Sequence, residues 1–170
     1  MKTRHHIACC AVAAVLGAAS PSAAQERGAV ALDAAAGWTG FADDGIVGEG
    51  TVGAAVRWYL SPRVSIGPEF TFISGEGHSH RVLTGNVVFD LLAPRSGQAR
   101  VTPFIVIGGG IFNTSESFPG ETFNSNDGAF TVGGGIRAPL TPRVGVGADA
   151  RIGWETHVRL MAFASVRLGS

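Results

Sequence analysis

The sequence predicts an all-β fold: an eight-stranded antiparallel up-and-down transmembrane β-barrel, with short turns at one end and longer loops at the other. Three observations predict it. Residues 143–154 read RVGVGADARIGW, where Arg143, Asp149 and Arg151 share one parity with three glycines, and Val144, Val146, Ala148, Ala150, Ile152 and Trp154 fill the other. Such period-two alternation writes a strand with two unlike surroundings. Beyond residue 24 the chain carries eleven arginines, thirteen acids and no lysine, a surface too poorly charged for a water-soluble domain. The same stretch has no run of 18 consecutive apolar residues, so no helix could cross a bilayer. In lipid only helices and closed sheets satisfy their own backbone, so a membrane chain of this kind must close a barrel.

Residues 1–24 are expected to be a cleaved signal peptide. Lys2, Arg4 and two histidines make a basic start, Ile7 to Ala19 is an unbroken apolar run, and Ser22-Ala23-Ala24 offers small residues at the cleavage point. Cys9 and Cys10 fall in this segment. Residues 25–170, the barrel domain, therefore hold no cysteine for a disulfide, a thiolate nucleophile or a metal site.

The eight strands are predicted at approximately 28–38, 50–60, 64–73, 81–92, 100–112, 128–140, 143–154 and 157–168, each about the ten residues that a tilted strand needs to cross hydrocarbon. In the first, Val30, Leu32, Ala34, Ala36 and Trp38 oppose Asp33; in the second, Val52 to Leu60 oppose Arg57. The third sets Val64, Ile66, Phe70 and Phe72 against Glu69, and the fourth sets Leu83, Val87, Phe89 and Leu91 against Asp90. The sixth opposes Phe130, Val132, Ile136 and Leu140 to Arg137, and the eighth opposes six apolar residues to Arg159 and Arg167. Leu60-Ser61-Pro62-Arg63-Val64 and Leu140-Thr141-Pro142-Arg143-Val144 are near copies, echoed by Leu92-Ala93-Pro94-Arg95. Proline presets a turn and is kept out of central sheet positions, so all three mark tight hairpin ends. The alternate connections, roughly 39–49, 74–80 and 113–127, are longer and polar, whereas Glu155-Thr156 is very short.

Charge separates the two ends. The long loops hold Asp43, Asp44, Glu49, Glu76, Glu116, Glu121 and Asp127 and no arginine, and the short turns hold Arg63, Arg95, Arg100 and Arg143. Trp38 and Trp154 near the loop end, with Trp58 and Tyr59 near the turn end, are expected to form aromatic girdles at the two interfaces.

With these strands in place, the stretch Thr102-Pro103-Phe104-Ile105-Val106-Ile107-Gly108-Gly109-Gly110 resembles the small eight-stranded outer-membrane β-barrel proteins of Gram-negative bacteria. The resemblance spans residues 25–170. It implies residence in the outer membrane, with periplasmic turns and extracellular loops. Outer-membrane lipids, lipopolysaccharide and the barrel-insertion machinery are the expected partners, with no nucleic acid, no cofactor and a monomeric state. Members of that family commonly end on an aromatic residue, whereas this chain ends Leu168-Gly169-Ser170.

The candidate site residues are the charges on the inward parity: Asp33, Arg57, Glu69, Asp90, Arg137, Asp149, Arg151, Arg159 and Arg167. An arginine facing lipid at the midplane would cost about 2–4 kcal/mol. Several such errors would exceed the stability of a typical domain, about 5–15 kcal/mol. Eight strands leave an interior just wide enough for side chains to fill. These groups are therefore expected to neutralise one another and plug the lumen, with no catalytic, cofactor or metal role. The alternative is a narrow ion path. Glu76-Gly77-His78-Ser79-His80 offers a carboxylate and two imidazoles, but a structural metal site needs a third or fourth ligand and none is spaced to help, so a solvated loop is expected. Gly108–Gly110 and Gly133–Gly135 precede no helical pattern and are read as tight curvature or as room for lumen side chains, not as phosphate loops.

The expected function is structural or surface-interacting, in envelope integrity or adhesion. Two other classes stay open. One is a lipid-modifying enzyme, such as a lipid A deacylase or acyltransferase, built on His157 beside Glu155 or on His78 with Ser79, Ser115 and Ser117. The other is a soluble lipocalin-like barrel with its apolar face turned inward.

Overall fold

A computed structural model describes residues 27–43, 45–75, 78–92, 101–118, 121–154 and 156–168, and the side chains of these except 43, 45–47, 116–118 and 121–123. The expected signal peptide and the turn containing Pro94, Arg95 and Arg100 lie outside the described residues. The strands are β1 Val30–Asp43, β2 Gly45–Ser61, β3 Val64–Ser74, β4 His78–Asp90, β5 Thr102–Phe118, β6 Glu121–Pro139, β7 Val144–Gly153 and β8 His157–Leu168. Each pairs antiparallel with the next, and β8 returns to β1 across Val30–Leu168 to Phe41–His157, closing the barrel.

Alternation sets the two faces. Along β7 and β8 the odd residues turn inward and the even ones outward, where Val144, Ile152, Val158, Leu160, Val166 and Leu168 are all exposed. The same holds around the barrel: Val52, Ile66, Phe70, Leu83, Ile107, Phe130 and Ile136 face out, beside inward Arg57, Ser65, Thr71, Thr84, Thr131 and Arg137. A water-soluble protein would hide so continuous an apolar band, and lipid is the solvent that suits it. The inverted, lipocalin-like arrangement is therefore excluded. Trp38, Trp58 and Trp154 are all exposed on the outward side, and the Trp38 ring lies over the paired glycines Gly40 and Gly48.

Tyr59 departs from the expected girdle. It is 3 % exposed and points into the lumen, because adjacent residues of a strand face opposite ways and Trp58 takes the outer side.

The two Pro-Arg turns that resemble each other in sequence are built alike. Ser61 Oγ accepts from the backbone N–H groups of Arg63 and Val64 at 3.3 and 3.1 Å. Thr141 Oγ1 accepts from those of Arg143 and Val144 at 3.2 and 2.9 Å. At the opposite end the strands run further than the alternation indicates. β1 and β2 stay paired to Asp43–Gly45, and β5 and β6 to Phe118–Glu121, so most of the stretches expected as loops at 39–49 and 113–127 is hairpin. Those arms pass beyond the ten or so residues needed to cross hydrocarbon. There both faces of the ribbon meet water, as at exposed Asn124, Ser125, Asn126 and Asp127, and the alternation that marks a strand in the bilayer has no reason to persist.

Candidate functional site

The barrel interior is a stack of side chains from eight strands. Nearest the turn end, Arg57 donates from Nη2 to Asp33 Oδ1 at 2.7 Å and to Ser165 Oγ at 2.9 Å, and its Nε reaches the other Asp33 oxygen. Tyr59 Oη accepts from Arg57 Nη1 and from Arg137 Nη1, both at 2.9 Å, tying two strands on opposite sides of the lumen. Arg137 also pairs with Asp90 at 2.9 Å and lies over the Phe104 ring, 4.6 Å from its centroid.

The next tier centres on Glu69. Arg159 Nη2 donates to Glu69 Oε1, Asn86 Nδ2 donates to Oε2 at 3.0 Å, and Arg151 Nη1 stands 2.9 Å from Oε2. Arg151 also donates to both Asp149 oxygens, at 3.2 and 2.9 Å, and Arg159 Nη1 donates to Thr71 Oγ1 at 2.7 Å. Glycine makes room for this tier. Gly133 and Gly135 on β6 pair with Arg151 and Asp149 on β7. A Cβ on either would stand 2.7–2.8 Å from the partner Cα, so neither position takes a larger residue without moving the sheet.

Toward the loop end the filling turns apolar. Ile73, Val82 and Phe112 form a buried cluster with Phe41 and Ala129 against it. His157 joins it: its ring centroid is 5.4 Å from Phe41 and 6.0 Å from Phe112, and Nδ1 lies 2.7 Å from the Trp154 carbonyl oxygen. At the mouth, above this layer, Glu49 from β2 meets His78 and His80 from β4.

The nine charges named from sequence thus all fall on the inward side, and eight of them join the two ionic tiers by the contacts above. Arg167 lies inward on β8 and is half-buried. Four uncharged residues join the tiers: Asn86, Thr71 and Ser165, which the alternation already places on the inward face, and Tyr59, which was expected in the girdle. Parity alone would have found Tyr59, which is in step with Arg57. The other three are unremarkable polar residues on strands, and only the register reveals their partners. A space of about 50 Å³ remains among Asp33, Arg57, Glu69, Asp149 and Arg159. It has room for a water or two.

An apolar outside, an ionic inside and eight strands closed edge to edge define a transmembrane β-barrel. The chain belongs to the family described as the outer membrane protein beta-barrel domain, whose model matches residues 9–165, and it is an outer-membrane protein. Among solved structures it is similar to the N-terminal β-barrel domain of Pseudomonas aeruginosa OprF, with a TM-score of 0.70 at 10 % identity, covering 85 % of this chain and 100 % of that one. It is similar to Neisserial surface protein A, with a TM-score of 0.67 at 14 % identity over 81 % of this chain and 95 % of the other. It is also similar to Ail, the attachment invasion locus protein of Yersinia pestis, with a TM-score of 0.59 at 12 % identity over 84 % and 99 %. At such identities the likeness is one of fold. No curated protein matches the sequence significantly.

Proposed function

We propose that this protein is a closed, non-conducting barrel that works through its outer surface, in envelope integrity or adhesion. The observation that carries this reading is the filled interior. Oppositely charged groups engage one another in both ionic tiers, and the apolar layer of Ile73, Val82 and Phe112 caps them. Mobile ions need a continuous hydrated path, and a lumen filled by paired side chains, with about 50 Å³ left among them, is a poor one.

Lipopolysaccharide is the partner the outer rim favours. Arg81 is exposed on the outward parity of β4, level with Phe72 and Asn113. Outward arginine is tolerated only near an interface, where a guanidinium can pair with lipid phosphates. One structural neighbour, Ail, has been solved in complex with the heparin analogue sucrose octasulfate. The hairpins here carry acids instead, Asp43, Asp44, Glu116, Glu121 and Asp127 among them, which disfavours a polysulfated ligand. The proposed monomer displays these hairpins clear of the membrane.

Planar-bilayer recording tests the closed lumen. Purified protein should insert without discrete conductance steps. Stable, reproducible steps at low voltage would overturn the proposal in favour of a narrow channel.

A further inference from the structure

The sequence spaces no further ligand to complete a metal site with His78 and His80. The sheet supplies one. Gly50 pairs with Ser74 and Ser74 with Ser79 across β2, β3 and β4, so Glu49, Gly75 and His78 follow one another in the next row outward. Gly75 has no side chain, and Glu49 can therefore reach across it. Glu49 Oε1 contacts His78 Nε2, and Glu49 Oε2 lies 4.0 Å from His80 Nε2.

We propose that Glu49, His78 and His80 form a binding site for a borderline divalent transition metal of the Zn²⁺ class, set in the outer mouth of the barrel. One donor atom from each of the three lies within 4.8 Å of the others. Donors around a tetrahedral zinc stand about 3.3–3.6 Å apart, given metal–ligand distances near 2.0–2.2 Å, so small side-chain rotations complete the approach. Two imidazoles and one carboxylate are a set that zinc accepts, and the nitrogen donors select against Mg²⁺ and Ca²⁺.

Four further observations point to a ligand here. The Glu49 side chain is 1 % exposed, yet its Oε2 has no hydrogen-bond partner among the described residues. A carboxylate oxygen so placed is costly unless something neutralises it. His80 Nδ1 lies 3.1 Å from Thr114 Oγ1, its cross-strand neighbour on β5. With Thr114 accepting the Nδ1 proton, the tautomer is the one that ligates through Nε2, the outer-shell arrangement typical of metal-bound histidine. His80 also packs against Phe41 and Phe112, at 4.9 and 5.2 Å between ring centroids, giving the site an apolar floor. Gly75 completes the cradle: a Cβ there would stand 2.6 Å from Glu49 Oε1 and 2.7 Å from His78 Nε2. Three protein donors leave a tetrahedral ion one further position, for water or for another ligand.

The full chain, purified without an affinity tag and folded in detergent micelles, is titrated with Zn²⁺ by calorimetry and with Co²⁺ by visible absorption. His5, His6, Cys9 and Cys10 can bind these metals too, are present in every variant, and set the common background above which the site is counted. One saturable site should appear, with a cobalt spectrum of low coordination number, and excess Mg²⁺ or Ca²⁺ should not compete. Glu49→Gln, His78→Ala and His80→Ala should each abolish it. Thr114→Val keeps all three donors and should weaken binding about tenfold, and Gly75→Ala should weaken it by crowding the donors. Heat-modifiable migration on gels reports folding of each variant, and Thr114→Val carries the test where a ligand variant fails to fold. Absence of saturable Zn²⁺ binding, or an affinity indifferent to His80→Ala and Thr114→Val in folded protein, would overturn the proposal.

Discussion

Glu69 holds the middle of the lumen together. It faces Arg151 and Arg159 from two other strands and accepts from Asn86 and Thr71. Neutralising it leaves two buried guanidiniums short of an anion, a change that typically costs about 3–5 kcal/mol. Glu69→Gln should lower stability by that amount in urea unfolding from lipid vesicles, and a loss under about 1 kcal/mol would mean that this pair is hydrated. The inward charges were legible from strand parity alone, since each is a charge on the opposite face from aliphatic neighbours. Their partners were not. Arg159 and Glu69 are 90 residues apart, and only the closed register brings them together. Glu49 escaped for the same reason: in sequence it is one acid among several in a polar stretch, and its nearness to His78 depends on Gly75 leaving the row between them empty.

At the scale of the strand, the residues in contact with the bilayer carry the signal, because lipid on one side and lumen on the other force alternation. β7 and β8, short and almost wholly within this region, lie within a residue or two of the spans read from sequence. β5 and β6 run to 17 and 19 residues, and their outer halves carry no such imprint. The difference predicts where charge is tolerated. Ile107→Arg, facing outward near mid-strand in β5, should destabilise the barrel by about 2–4 kcal/mol, whereas Asn126→Arg on the outer β6 arm should change stability by less than about 0.5 kcal/mol. Equal effects in the same unfolding measurement would contradict the assignment of the membrane-embedded segment. The β7–β8 hairpin carries local strain as well. Thr156 adopts φ 39°, a left-handed conformation unusual for a β-branched residue. Asparagine tolerates it better, so Thr156→Asn should raise stability by about 1 kcal/mol; unchanged or lowered stability would show that the turn relaxes without cost.

For the whole molecule, the central claim is which face meets what: lipid outside and packed side chains inside, with no continuous water path along the middle of the strands. The barrel domain contains no cysteine, so single cysteines can be placed along β5 and labelled with an environment-sensitive fluorophore. Positions 105 and 107 face outward beside Val106, which is completely buried. In vesicles, probes at 105 and 107 should be quenched by nitroxide lipids. A probe at 106 should be quenched weakly by these lipids and weakly by aqueous iodide. Strong iodide quenching at 106 would show an open, water-filled lumen, and strong lipid quenching there with none at 105 and 107 would show the faces reversed; either result contradicts the account.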